Sequence, residues 1–160
     1  MIAIGKKAPA FNLLNQDGQE VSLENFKGKH LILYFYPKDN TSGCAKEAID
    51  FSDIKEKLDK INAEVAGVSP DSVASHKKFI EKNKLKITLL SDKEKKTMKD
   101  YGAWGPKKVC GKECEGVIRS TVLISQEGII EKIWNNVKVR TKKKTGEVKH
   151  AENVLEKLLK

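Results

Sequence analysis

Leu31-Ile32-Leu33-Tyr34-Phe35-Tyr36-Pro37-Lys38-Asp39-Asn40-Thr41-Ser42-Gly43-Cys44 is the stretch on which the fold turns. Its first six residues are apolar or aromatic with no polar alternation, the pattern of a strand buried on both faces. Pro37 has no amide hydrogen for a sheet ladder and ends the strand. The residues from Asp39 to Gly43 are turn formers. Beyond them Ala48, Phe51, Ile54, Leu58 and Ile61 recur near helical spacing, so a helix is expected to begin close to Cys44.

The same reading extends to both sides. Residues 11–14 and 21–23 flank Asp17-Gly18 and predict an N-terminal hairpin. Residues 65–68 and 87–90 read as strands, each followed by a helical pattern, to about Lys82 and, from Asp92, to about Tyr101. Residues 102–116 show no periodicity and contain Gly102, Gly105 and Gly111, so a loop is expected. Residues 117–124 and 129–134 read as strands joined through Glu127-Gly128, and a last helix is expected from His150 to Leu159. Strands alternating with helices, plus a terminal hairpin, predict an α/β three-layer domain around a central mixed sheet, one domain over residues 1–160. A strand, a tight turn and a helix opening on cysteine resemble the thioredoxin-like arrangement.

Composition narrows the function. Hydrophobic residues make up 39% and charged residues 33%, as in a globular protein that shows no membrane span. The longest strongly apolar run is residues 31–36, against roughly 20 residues for a spanning helix. The first residues lack the basic lead and apolar stretch of a secretory signal, so the cytoplasm is the expected location. The net charge of +9 raises nucleic acid as a partner. Only Arg119 and Arg140 are arginines, however, and specific readers of bases and phosphates lean on the arginine fork, so no specific nucleic-acid binding is expected.

Three cysteines without a secretory signal argue against a structural disulfide framework. A cysteine in the first turn of a helix faces free backbone N–H groups and the positive end of the helix dipole, and both favour thiolate, the nucleophilic form. Thr41 stands three residues earlier, where a thioredoxin would carry a second cysteine, so dithiol exchange within this motif is ruled out. A hydroxyl beside a thiolate suits an oxygen electrophile, because displacement on a peroxide needs donors aimed at the developing charge. Position alone equally allows Cys44 to be a buried helix residue with no role.

Wider motifs favour chemistry. Pro37, Thr41 and Cys44 form P-x-x-x-T-x-x-C, and the chain resembles the peroxiredoxins, most closely their bacterioferritin-comigratory or peroxiredoxin Q branch. The resemblance continues in Gly5, Ala8-Pro9 and Phe11, in Glu47-Ala48, in Tyr101-Gly102 and Trp104-Gly105, in Arg119-Ser120-Thr121, in Gly128 and in His150-Ala151-Glu152. It implies a thioredoxin-like fold and a thiol-dependent reduction of hydrogen peroxide and small organic hydroperoxides through a sulfenic acid. By the same resemblance Cys44 is the peroxidatic thiol and Thr41 donates or relays a hydrogen bond to the peroxide. Pro37 shields the sulfur, and Arg119, projecting from a strand, stabilises thiolate and transition state. A thioredoxin-type dithiol is the implied reductant, no cofactor is implied, and a monomer or weak dimer is the expected form. Ordinary turn chemistry for Pro37 and Thr41, and a structural arginine at a strand's start, are the plainer alternatives.

Three departures stand out: Ser42 replaces the usual proline, Ala45 the usual threonine, and Ile49 the resolving cysteine that many members carry. Cys114 and Cys110 are the remaining candidates to resolve a sulfenic acid at Cys44. Cys114 lies five residues from Arg119, at most about 17 Å of extended chain. Joining either to Cys44 requires the Cys44 helix to open locally. An external thiol is the alternative. Cys110 and Cys114 have too few histidine companions at suitable spacing for a zinc site, so no metal is expected. The basic segment from Lys138 to Lys149 is expected to be a solvated loop. A protein disulfide oxidoreductase using Cys110 and Cys114, and a non-catalytic thioredoxin-like binding or chaperone module, are the competing functions.

Overall fold

The computed structural model describes residues 2–109, 112–144 and 146–159, with side chains for all of these except 107–109, 112, 113 and 143. Its strands are β1 (Asn12–Asn15), β2 (Glu20–Ser22), β3 (His30–Phe35), β4 (Ala63–Ser69), β5 (Thr88–Ser91), β6 (Trp104–Val109), β7 (Lys112–Val117), β8 (Ser120–Ile124), β9 (Ile130–Trp134), β10 (Arg140–Lys143) and β11 (Gly146–Lys149). The α-helices are α1 (Ser42–Asp53), α2 (Lys55–Lys60), α3 (Val73–Asn83), α4 (Lys96–Asp100) and α5 (His150–Leu159). Seven strands form one sheet in the order β2-β1-β5-β4-β3-β8-β9. β3, β4 and β5 run parallel, whereas β8 is antiparallel to β3 and β1 to β5, so the sheet is mixed.

The apolar run in β3 is explained by its place in this sheet. Leu31, Leu33 and Phe35 enter one core with Phe11, Met98, Tyr101 and Val122. Ile32, Tyr34 and Tyr36 enter the other with Phe51, Leu58, Phe79, Val154 and Leu155. Helices α1, α2, α3 and α5 cover the second face; α4 and the N-terminal segment cover the first. Gly67 on β4 is required by the same packing, since a Cβ there would lie 2.6 Å from Cζ of the fully buried Tyr34.

Several expectations need correction. The helix after Cys44 is interrupted at Ile54 (φ −99°, ψ 5°), which keeps both Ile54 and Leu58 buried. The lysine-rich helix covers only Lys96–Asp100, because Lys95 adopts a left-handed conformation (φ 64°) and the Asp92 carboxylate accepts the Met98 amide at 2.9 Å. Within the loop expected at 102–116, the described residues form a β6–β7 ribbon that pairs with no third strand among them, and a two-stranded ribbon outside the main sheet imposes no apolar alternation. Val117 accordingly belongs to β7, and β8 starts only at Ser120. In the segment from Lys138 to Lys149, expected as a loop, β10 and β11 pair antiparallel. Arg140 on β10 grips the buried Asp50 of α1 through two hydrogen bonds, 2.7 and 3.0 Å, with Lys149 Nζ 3.9 Å from the same carboxylate. No helix among the described residues is long and apolar enough to cross a membrane.

Candidate active site

Thr41, in extended conformation (φ −82°, ψ 151°), turns the chain from the β3 loop into α1, which places Cys44 third in the helix. The Thr41 carbonyl accepts the Ala45 amide at 2.8 Å. Cys44 is 1% exposed and is packed with Tyr34, Tyr36, Ala48 and Phe51 in the core under the helices. The sulfur is thus removed from water at the electropositive end of the helix. Pro37 is partly buried at the start of the turn, and Thr41 is exposed, its hydroxyl donating to the Lys38 carbonyl at 2.9 Å. That hydrogen is already engaged, so Thr41 Oγ1 offers lone pairs to a ligand more readily than a donor.

Arg119 does not lie on a strand as expected. It occupies the link between β7 and β8, held by the Ile118 amide on the Ala103 carbonyl (2.7 Å) and the Val137 amide on its own carbonyl (2.9 Å). A side chain leaving this link reaches α1. Its Nη2 donates to Cys44 Sγ at 3.1 Å and its Nη1 donates to Glu47 Oε1 at 2.7 Å. One rigid guanidinium therefore fixes sulfur and carboxylate together. Burial works against the Arg119 cation, but the facing Glu47 and Cys44 outweigh it and hold its pKa above the usual arginine range.

Glu47 is 1% exposed. Burial pushes its carboxyl up to about 7, against the pull of Arg119, and its second oxygen has no hydrogen-bond partner among the described residues. The Tyr34 hydroxyl is also buried with no hydrogen-bond partner among the described residues, and burial raises its pKa well above the usual value. His150 at the start of α5 contacts Thr121 Oγ1 at 2.8 Å, and burial, aided by Arg119, lowers its pKa to about 4. It is neutral at physiological pH.

The structure thus joins Cys44, Arg119 and Glu47 directly and sets Thr41 and Pro37 in the adjoining turn. It does not bring Cys114 to the sulfur: Cys114 is exposed on β7, opposite Lys107, and both Cys44 and Cys114 are free thiols. Cys110 lies outside the described residues. Sequence reasoning assigned no part to Asp39 or His76, which meet behind the turn, 2.8 Å apart across 37 residues of chain. Asp39 had a weak signal as a turn residue, and His76 had none.

Residues 4–133 match the AhpC/TSA family model. The chain is 45% identical over 157 residues to the putative peroxiredoxin bcp of Helicobacter pylori strain ATCC 700392 / 26695, covering 98% of each. This chain belongs to the AhpC/TSA family, as a peroxiredoxin. It is also 48% identical over 139 residues to peroxiredoxin Bcp of Bacillus subtilis strain 168, covering 87% of this chain and 88% of the relative. Among solved structures it is similar to the Xanthomonas campestris bacterioferritin comigratory protein, studied for alkyl peroxide reduction, with TM-score 0.86, 34% identity and 98% of each chain covered. A cysteine-to-serine variant of Xylella fastidiosa PrxQ superposes with TM-score 0.89 at 33% identity, covering 99% of this chain and 96% of that one. The peroxiredoxin is a thiol-dependent peroxidase with a thioredoxin-like fold of the Bcp and PrxQ kind.

Proposed function

We propose that Cys44 is the peroxidatic thiol and that its substrates are hydrogen peroxide and small organic hydroperoxides. The observation that carries this reading is the bridge from Arg119 Nη2 to Cys44 Sγ, 3.1 Å, shared with Glu47. The Cys44 thiolate attacks the nearer peroxide oxygen; an S–O bond forms, the O–O bond breaks, and the electron pair leaves as hydroxide or alkoxide, which takes up a proton. Arg119 neutralises charge at sulfur and at the oxygens as it shifts between them. Thr41 Oγ1 accepts the peroxide hydrogen, and Pro37 limits water at the mouth of the turn.

The sulfenic acid is resolved by Cys114. Attack of its sulfur on Cys44 forms a disulfide and releases water, and a thioredoxin-type dithiol then reduces the disulfide. The buried position of Cys44 requires the first turn of α1 to open in each cycle. Cys110 is the alternative resolving thiol, and an external thiol replaces both if neither reacts. The enzyme acts as one domain, a monomer or weak dimer, in the cytoplasm.

The test is peroxide-dependent oxidation of reduced thioredoxin by wild type, Cys44→Ser and the Cys110→Ser/Cys114→Ser double variant. Cys44→Ser is expected to lose turnover while keeping its fold; retained turnover would refute the assignment. The double variant is expected to keep a fast first turnover, stop cycling and drift towards sulfinic acid. Peptide mapping that finds Cys44 oxidised with Cys110 and Cys114 both free in the wild type would favour an external resolving thiol.

A further inference from the structure

Behind the peroxidatic turn lies a buried polar cluster that the reaction above does not use. His76 on α3 is fully buried, and both its ring nitrogens face oxygen. Nδ1 lies 2.8 Å from Asp39 Oδ2, and Nε2 lies 3.0 Å from the Leu90 carbonyl oxygen of β5. A carbonyl oxygen can only accept, so Nε2 carries a hydrogen. One further proton belongs to the Nδ1–Oδ2 line, and the surroundings of Asp39 decide which atom holds it.

Asp39 is 3% exposed and its carboxylate accepts from three sides: the Tyr36 hydroxyl on Oδ1 at 2.6 Å, the Ser75 hydroxyl on Oδ2 at 2.8 Å, and His76. Donors converging on a carboxyl favour its ionised form. Asp71 adds a second carboxylate, whose Oδ2 accepts the Asp39 amide at 2.8 Å and the Ser69 hydroxyl at 2.7 Å. Donor atoms of Asp39, Asp71 and His76 all fall within 4.8 Å of one another. A neutral imidazole between the Asp39 carboxylate and the Leu90 carbonyl would leave a lone pair against an acceptor. We infer that His76 is an imidazolium buried against Asp39, and that it is a positioning residue which holds the Pro37–Cys44 turn in the form that reacts with peroxide.

The cluster defines where the turn is fixed. Tyr36 and Asp39 are tied to α3, and the Asp39 amide is tied to the β4–α3 link. The next residue, Asn40, has φ 63°, the left-handed region that a non-glycine residue rarely occupies. Beyond it Thr41 to Cys44 carry the sulfur. Opening therefore begins after Asp39, with Asn40 as the hinge, and the charged pair sets how readily it happens. Loosening the pair slows attack, which needs the closed turn, and speeds disulfide formation, which needs the open one.

The inference rests on Cys44 as the peroxidatic thiol for its kinetic part only. In the reduced wild-type enzyme at neutral pH, nitrogen NMR of the His76 ring is expected to show both nitrogens protonated. A ring with one hydrogen-free nitrogen would overturn the inference, whatever the role of Cys44. In His76→Asn, stopped-flow is expected to show Cys44 oxidised about tenfold more slowly, the scale of one charge-assisted hydrogen bond. Disulfide formation is expected to become faster and peroxide-driven sulfinic acid to fall. Asp39→Asn is expected to give the same split, and the double variant to be no worse than either single one. Wild-type rates of attack in His76→Asn, or slowing of both steps alike, would overturn the positioning role.

Discussion

Replacing Glu47 by glutamine isolates the most perturbed carboxyl of the site. Glutamine keeps an oxygen for Arg119 Nη1 and removes the ionisation. In the folded enzyme burial raises Glu47 from 4.5 to about 7. Between those values the native state holds a proton that the unfolded chain has released, so stability falls as pH rises through the window. Below about pH 4.5 both states are protonated and the penalty is absent; above about pH 7 both are ionised and the penalty is complete. At about 1.4 kcal/mol per unit the full loss amounts to about 3 kcal/mol. Glu47→Gln has no such loss. Urea unfolding of reduced wild type and variant at a series of pH values should therefore give a difference curve that slopes by about 1.4 kcal/mol per pH unit across the window and flattens on either side. The attraction of Arg119 for the Glu47 carboxylate acts only where Glu47 is ionised and is already contained in its pKa, so it adds nothing to the slope. Asp92, whose pKa burial also raises, titrates in both proteins and cancels. Parallel stability curves through the window would refute the reasoning.

Other outcomes are expected from the same geometry. Arg119→Lys retains a charge but cannot hold sulfur and Glu47 with one planar group, so reaction with peroxide should slow at least about tenfold, or 1.4 kcal/mol in the barrier; stopped-flow at wild-type rates would make Arg119 merely structural. Gly67→Ala drives a Cβ to 2.6 Å from the buried Tyr34 ring and should lower stability by about 1–3 kcal/mol in chemical unfolding. Arg140→Ala strips the buried Asp50 of its bidentate partner and should lower the melting temperature, an effect that Asp50→Asn in the same background should partly relieve.

The elements legible in the sequence were those whose burial imposes a period. β3 was marked by its unbroken apolar run because both faces of the sheet are covered, and α5 by Val154, Leu155 and Leu158 on one side. The β6–β7 and β10–β11 ribbons were missed because each is a two-stranded sheet to itself. Arg140 looked like one member of a charge run until the hairpin turned it towards Asp50. The site was legible where its residues share a local motif, as Pro37, Thr41 and Cys44 do. Arg119 was found through its Arg-Ser-Thr motif, although its place between strands was not. The pairing of His76 with Asp39 was invisible, since nothing local records a hydrogen bond between residues separated by 37 positions.

The chain has two arginines, and both end on α1: Arg119 on Glu47 and Arg140 on Asp50, carboxylates three residues apart on the helix that bears the sulfur. Every other strongly basic side chain is a lysine. The enzyme is therefore its own reporter. A dicarbonyl reagent selective for guanidinium groups has two targets, and each is shielded only while its end of the cysteine helix stays in place. The order in which mass spectrometry finds Arg119 and Arg140 modified, during turnover and at rest, would trace which end of α1 lets go, with no label introduced.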